Sequence, residues 1–222
     1  MDNNTEKTQP SSGNPAIRRP YGDPADWFES VYTSADNDIQ QVPWTRQSNA
    51  QFLLPWLAQH KGHMSTYGQA LVIGCGLGDD AETLAQQQQR VTAFDFSPQA
   101  IAWCRQRFPT SRVDYQVADL FQLPATFQQA FKFVFESRTI QSLPPELHTR
   151  AIEAIADCVA PGGTLLLICY ARDADEPTAG PPWFLTRSEL DHFLQHGLLE
   201  ISFQDQVVAG VRHFIAAYKK GA

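Results

Sequence analysis

Gln69-Ala-Leu-Val-Ile-Gly-Cys-Gly-Leu-Gly-Asp-Asp80 is the stretch that decides the fold. The apolar run Ala70 to Ile73 has the composition of a buried parallel strand. It breaks into glycines at alternate positions, Gly74, Gly76 and Gly78, with Cys75 between the first two. A helix-forming segment, Ala81 to Gln88, follows. Strand, tight turn and helix N-terminus in that order form a site where nucleotide-like ligands settle. Glycine suits the turn because it takes positive φ without cost and lets a ligand approach the backbone.

The spacing narrows the ligand. A dinucleotide fingerprint is G-x-G-x-x-G, and a P-loop is G-x-x-x-x-G-K-[ST]. Here the pattern is G-x-G-x-G with no lysine or arginine. Asp79 and Asp80 open the helix where a pyrophosphate would lie, so an anionic group is repelled there and a cationic or zwitterionic one is not. A nicotinamide-dependent reductase, NAD(P) on a similar sheet, is the rival that this spacing disfavours.

Outward from the turn, strands and helices alternate. Strands are expected at Arg90 to Asp95, Val113 to Ala118, Phe131 to Phe135 and Thr164 to Tyr170. Helices are expected from Ser97-Pro98 to Phe108 and from Pro145 to Ala160, with Pro161-Gly162-Gly163 closing the latter by a turn. Thr186 to Glu189 is a capping box opening a helix to His196. Ile201 to Val208 and Val211 to Tyr218 read as a closing hairpin around Ala209-Gly210. Alternating βα units imply an α/β, doubly wound sheet with helices on both faces, binding at the carboxyl ends of its strands.

Upstream of residue 67, residues 1–19 are polar and expected to be disordered. Residues 20–66 are expected to form a helical lid. It holds a helix from Pro24 to Tyr32, with Trp27, Phe28, Val31 and Tyr32 on one side, and another from Ser48 to His60 that Pro55 starts or kinks. The 222 residues carry a net charge of −7 and no Lys/Arg stripe, which argues against nucleic acid as partner. No apolar run reaches membrane-spanning length and no signal peptide is recognisable, so a cytoplasmic protein is expected. The four cysteines lack C-x-x-C spacing and read as reduced, buried thiols. His192 and His196 share a helix face without a third ligand, so no metal site is expected.

The residues at strand ends are the functional candidates. Asp95, about twenty residues past the turn, either accepts hydrogen bonds from ribose hydroxyls or caps the next helix. Asp119, in Val-Ala-Asp-Leu-Phe, either meets an adenine amino group, with Leu120 and Phe121 packing the base, or caps its own turn. Glu136 ends the fourth strand, close to Arg138.

Val-Ile-Gly-Cys-Gly-Leu-Gly, Val-Thr-Ala-Phe-Asp-Phe-Ser-Pro, Val-Ala-Asp-Leu-Phe and Ala-Pro-Gly-Gly-Thr-Leu-Leu-Leu resemble, in order, the motifs of class I S-adenosylmethionine-dependent methyltransferases. The resemblance spans about Tyr67 to Tyr170. It implies a Rossmann-like three-layer sandwich with a seven-stranded, mostly parallel sheet whose last strand is antiparallel. It implies S-adenosylmethionine at Gly74, Cys75, Gly76, Gly78, Asp79, Asp95, Phe96, Asp119, Leu120, Glu136 and Trp44, and a small-molecule methyl acceptor. One departure stands out. Many members carry an acid two residues before the first glycine, against the methionine ammonium; here that residue is Val72, and Asp79 or Asp80 is left to supply the charge.

Phe-Val-Phe-Glu-Ser-Arg, the later Gly-Pro-Pro-Trp-Phe-Leu-Thr-Arg and the upstream Val-Pro-Trp are loosely similar to thiopurine and thiol/halide methyltransferases. That likeness implies a thiol or another soft nucleophile as acceptor. A thiol needs no strong base, whereas a hydroxyl or amine does. Glu136 and His148 are the candidates by position, and Arg138 suits an anionic acceptor. Glu136 has a second reading as a salt-bridge partner of Arg138. Trp44, Phe96 and Trp183 either cage the sulfonium or pack as core and lid. The segments Trp27 to Trp44 and Asp175 to Phe184 are expected to close over the site. A module that binds the methyl donor without turnover is the remaining alternative.

Overall fold

A computed structural model describes residues 24–36, 38–46, 49–60, 68–87 and 90–222. The expected disordered segment, residues 1–19, lies outside them. Two helices come first: α1 (Pro24–Ser34) and α2 (Ala50–Gln59), the latter running through Pro55. Then follow β1 (Gln69–Ile73), α3 (Asp79–Gln86), β2 (Arg90–Asp95), α4 (Pro98–Arg107), β3 (Asp114–Val117), β4 (Phe131–Ser137), α5 (His148–Cys158) and β5 (Val159–Tyr170). Two single-turn helices, α6 (Arg187–Leu190) and α7 (His192–Gln195), lead into β6 (Leu198–Val208) and β7 (Val211–Lys220).

The seven strands form one sheet in the order β3-β2-β1-β4-β5-β7-β6. Neighbours from β3 to β5 pair in parallel, and β7 runs antiparallel to both β5 and β6. The hairpin between β6 and β7 turns through Ala209 (φ 51°) and Gly210 (φ 79°). Positive φ at both central residues fits the turn whose twist matches that of the paired strands.

Strand alternation sends side chains to two cores. On one face Val72, Phe135, Leu166, Ile168 and Ile215 pack beneath α2, α3 and α4. On the other, Ile73, Val134, Leu165, Leu167 and Phe214 pack beneath α5, α6 and α7. This is the doubly wound, Rossmann-like sandwich. A third cluster ties the N-terminal segment down: Tyr32, Ala35 and Val42 pack on Leu77, Ala100 and Trp103. Each large side chain buried there contributes about 1.5–3 kcal/mol, so α1 is held against α4 as part of the body.

Two expectations need correction. Helix α5 ends at Cys158, and β5 begins at once with Val159 rather than at Thr164. Pro161-Gly162-Gly163 is a bulge inside the strand: the register shifts between Phe131↔Val159 and Phe133↔Thr164. A Cβ on Gly163 would lie 2.7 Å from the Ala160 carbonyl oxygen and 2.9 Å from that of Phe131, so only glycine lets the strand fold back there. The expected helix from Thr186 to His196 is broken at Asp191 into α6 and α7, although the capping box is present.

Candidate active site

The glycine turn leaves β1 in the left-handed region at all three glycines, φ +56°, +53° and +88°. They serve different ends. A Cβ on Gly74 would fall 2.4 Å from Thr139 Oγ1, and one on Gly78 would fall 2.6 Å from the Tyr115 hydroxyl. Those two glycines admit the protein's own side chains. A Cβ on Gly76 would meet only Tyr32 Oη at 3.4 Å and Trp44 Nε1 at 3.9 Å. Gly76 is thus the part of the turn that faces Tyr32 and Trp44, and it forms a cradle that an ordinary side chain would fill.

Aromatic rings of the N-terminal segment stand over that cradle. Trp44 Nε1–H donates to the Tyr32 hydroxyl at 3.0 Å. The Trp44 ring is edge-on to Tyr32 and Phe28 at 5.3 and 5.2 Å and tilted on Trp27 at 5.9 Å. Such rings present negative faces to a cation. Cys104 donates its thiol hydrogen to the Gly76 carbonyl at 3.2 Å, strapping the turn to α4. Cys75 is half-buried, and contact with Cys104 together with burial pushes its thiol well up. The other three cysteines are buried, and all four are free thiols.

Asp95 ends β2 and is 9% exposed. One oxygen accepts from the Gly76 N–H at 2.9 Å and the other from the Ser97 N–H at 3.0 Å. Burial raises its pKa against those two bonds. Each carboxylate oxygen keeps a lone pair for a further donor. Ser97 caps α4 through the Ala100 N–H, and its hydroxyl donates to Glu29 of α1. Phe96, next to Asp95, is 38% exposed. Asp119 accepts from the Phe121 N–H at 2.8 Å and from Gln122 Nε2 at 3.0 Å. Leu120 is buried in the core beneath α5.

The two neighbouring acids of α3 part company. Asp79 faces outward, held by Arg107 through two bonds of 3.0 and 2.8 Å. Asp80 turns inward and accepts from Asn49 Nδ2, at the start of α2, at 2.7 Å. Burial pushes Asp80 up to about 6, while Asn49 and the nearby Arg138 charge pull it down. Val72, at the position where an acid was expected, lies in the same core as Ala81 of α3. The inward acid near the glycine turn is therefore Asp80.

Glu136 lies beside Ile73 in the sheet and is fully buried. Its Oε1 accepts from the Thr139 N–H at 2.6 Å and the Ile140 N–H at 3.1 Å, capping the turn after β4. Burial pushes its pKa up to about 7. Its other oxygen, Oε2, is buried and has no hydrogen-bond partner among the described residues, so capping the turn engages one half of the carboxyl. His148 is tied up within the protein: Nδ1 lies 2.7 Å from Glu189 and Nε2 2.8 Å from the Leu143 carbonyl oxygen.

Arg138 follows β4 with φ +63°, a conformation that costs a non-glycine residue about 1–3 kcal/mol. It aims the guanidinium over the Tyr170 ring, 4.9 Å from the centroid. Tyr170 ends β5 and is paired with His213 of β7. Its ring meets those of His213 and Phe184, each at 5.1 Å. The loop before α6 is hung on the same edge. Trp183 N–H donates to the Gln141 carbonyl at 2.6 Å, and Gln141 Oε1 accepts from Tyr170 N–H at 2.6 Å. The Trp183 ring lies against Gly180, where a Cβ would come within 2.4 Å of it. Asn49, Tyr170 and His213 were not singled out by sequence. Their only signal is position, at the carboxyl edge of the sheet. Among the described residues, no cluster of His, Cys, Asp and Glu is arranged for a metal, and no helix is long and apolar enough to cross a membrane.

The site thus has two ends. One is a backbone crook under aromatic rings, with carboxylates at the strand tips. The other is a cation over an aromatic wall at the tips of β4, β5 and β7. Residues 70–163 match the family described as Methyltransferase domain. The chain is 26% identical over 171 residues to a 2-heptyl-1-hydroxyquinolin-4(1H)-one methyltransferase of Mycobacteroides abscessus, covering 74% of this chain and 73% of that protein. It is 31% identical over 135 residues to Nodulation protein S of Rhizobium tropici, covering 60% of this chain and about half, 53%, of that relative. Among solved structures, the fold matches the Burkholderia thailandensis 1,6-didemethyltoxoflavin-N1-methyltransferase, bound to 1,6-didemethyltoxoflavin and S-adenosylhomocysteine, with a TM-score of 0.69. That match has 20% identity and covers 93% of this chain and 94% of that one. The N-methyltransferase NodS of Bradyrhizobium japonicum WM9, in complex with S-adenosylhomocysteine, matches with a TM-score of 0.65 and 21% identity, covering 90% and 99%. Residues 70–163 thus match the methyltransferase domain family in sequence, and the chain shares the fold of these solved methyltransferases.

Proposed function

We propose that this chain methylates a small, planar nitrogen heterocycle bearing an O–H or N–H group. S-adenosylmethionine, when bound, supplies an activated methyl group on a sulfonium. The Gly76 cradle with Tyr32 and Trp44 holds the sulfonium end. Asp95 takes the ribose hydroxyls, Phe96 flanks the nucleoside, and Asp119 serves the base. Asp80 with Asn49 takes the ammonium, in place of the acid absent at Val72. Arg138 and Tyr170 hold the acceptor. The compounds named for two similar proteins, 2-heptyl-1-hydroxyquinolin-4(1H)-one and 1,6-didemethyltoxoflavin, support a flat heterocycle in that place.

The observation that carries this reading is the Gly76 cradle: of the three glycines it alone leaves room for an added atom, beneath Tyr32 and Trp44. Positioning donor and acceptor within that frame accounts for most of the rate. Calorimetry with S-adenosylhomocysteine tests the donor site. Binding is expected for the wild type, and Asp95→Ala is expected to weaken it by about tenfold or more, the loss of a charge-assisted bond of about 1.5–3 kcal/mol. Unchanged binding by Asp95→Ala, or none by the wild type, overturns the assignment. Mass spectrometry of products from hydroxyquinolinones, phenols, thiols and halides then separates a heterocycle from the thiol acceptor expected from sequence.

A further inference from the structure

We propose that His213 is the group that accepts the proton of the methyl acceptor. The inference rests on the methyltransferase reading and deepens it at the acceptor end. His213 opens the antiparallel strand β7, so it stands at the same edge where the parallel strands end. Its residue is 2% exposed. Nδ1 lies 2.8 Å from the Val211 carbonyl oxygen. A carbonyl only accepts, so Nδ1 carries the hydrogen and Nε2 is a bare lone pair in the neutral ring. That nitrogen is buried and has no hydrogen-bond partner among the described residues. A buried acceptor left unmet is costly, and the O–H or N–H of a methyl acceptor removes that cost on binding.

The surroundings suit this task. Tyr170 stands edge-on to the imidazole at 5.1 Å and 77°, and Phe52 of α2 tilts against it at 5.1 Å. These rings flank the imidazole with flat apolar faces. Gln206 pairs across from His213 on β6. Arg212, next in the chain, is engaged by Asp205 and Asp173. Arg138, beyond Tyr170, is the charge that acts on the ring. Burial first, and then Arg138, depress the pKa of His213 below the usual histidine value against the Val211 bond, so the ring is neutral at pH 7. The proton balance is then complete. The X–H bond of the acceptor breaks toward Nε2, and its electron pair forms the new bond to the donor's methyl carbon. The S–CH3 pair returns to sulfur, and the imidazolium, repelled by Arg138, passes its proton to water on release.

Nitrogen-detected NMR of histidine-labelled protein saturated with S-adenosylhomocysteine tests this directly. The free protein is expected to show His213 as the Nδ1–H tautomer. At least one of four probes, 2-heptyl-1-hydroxyquinolin-4(1H)-one, 4-hydroxyquinoline, phenol and thiophenol, is expected to move the Nε2 resonance. His213→Gln is expected to keep donor affinity while lowering turnover about a hundredfold or more, the usual range for a positioned base. It is also expected to abolish the acidic limb of the pH profile, where the wild type loses rate as pH falls through the pKa of His213. If the protein binds S-adenosylhomocysteine but Nε2 is unmoved by all four probes, or is protonated at pH 7, the role of His213 is wrong and the methyltransferase reading stands. If S-adenosylhomocysteine does not bind, the methyltransferase reading itself fails.

Discussion

The two ends of the site are built in different ways. At the tips of β1 and β2, local backbone geometry dictates the residues: glycines where φ is positive, and an acid where the second strand stops. At the tips of β4, β5 and β7, contacts between distant residues make the site: Arg138 over Tyr170, Tyr170 against His213, Phe52 on His213. The first kind of site leaves a pattern along the chain. The second exists only once the sheet has been assembled. Under the proposed function, the donor end belongs to the strand–turn–helix frame, and the acceptor end to this chain's own side chains.

The comparison breaks most sharply within the glycine turn itself. Gly78→Ala places a Cβ 2.6 Å from the Tyr115 hydroxyl and 3.1 Å from Cys104 Sγ in a left-handed conformation. Overpacking and backbone strain together are expected to cost about 4 kcal/mol of stability, measured by urea unfolding. Gly76→Ala carries the strain without the clash and is expected to cost about 1 kcal/mol. Its larger effect should be on S-adenosylhomocysteine affinity, lowered at least tenfold. Equal stability losses for the two variants would mean that the turn makes no distinction between core-facing and ligand-facing glycines.

Glu136 gives the next largest effect, on the buried side of the acceptor end. Its pKa in the folded chain is raised to about 7, chiefly by burial, so the native state holds a proton that the unfolded chain releases near its ordinary value of 4.5. The stabilisation is fully present below pH 4.5 and is lost as pH rises through 7. At 1.36 kcal/mol per pKa unit, the whole span amounts to about 3 kcal/mol. Wild-type stability is expected to fall across that window, and Glu136→Gln to flatten the fall while keeping the bonds to Thr139 and Ile140. A slope unchanged in the variant would assign the titration to another group.

How much of this was legible follows the same division. β2 was readable to the residue, Arg90 to Asp95, because Ser97-Pro98 punctuates its end. The start of β5 was not. Pro161-Gly162-Gly163 has the composition of a turn, and only the carbonyls of Ala160 and Phe131 show that the glycines serve a bulge. Asp95 was readable because its place follows from strand and turn lengths. The job of Glu136 was not, since burial against Thr139 and Ile140 is a property of the folded turn. His213 had no local signal at all: its neighbours arrive from α2, β4 and β5. The choice between Asp79 and Asp80 lay beyond sequence for a similar reason. It is made by Arg107 and Asn49, 28 and 31 positions away.

That choice supplies the smallest and sharpest test. Asp79 is an exposed partner of Arg107, with its side chain 58% accessible, and such pairs contribute about 0–1 kcal/mol. Asp79→Asn is expected to change stability by no more than that and to leave S-adenosylhomocysteine binding alone. Asp80 is buried beside Asn49 with a pKa near 6. As the ammonium partner it is ionised above that pH, so donor affinity should fall as pH drops through about 6. Asp80→Asn should lower the affinity about tenfold at pH 8, the worth of one charge-assisted bond at about 1.5 kcal/mol, and remove that pH dependence. Equal effects from the two neighbours would show that the charge acts through the general field of the helix start. An effect from Asp79 alone would reverse the assignment, because it would place the ammonium on the outer side of α3, where Arg107 already stands.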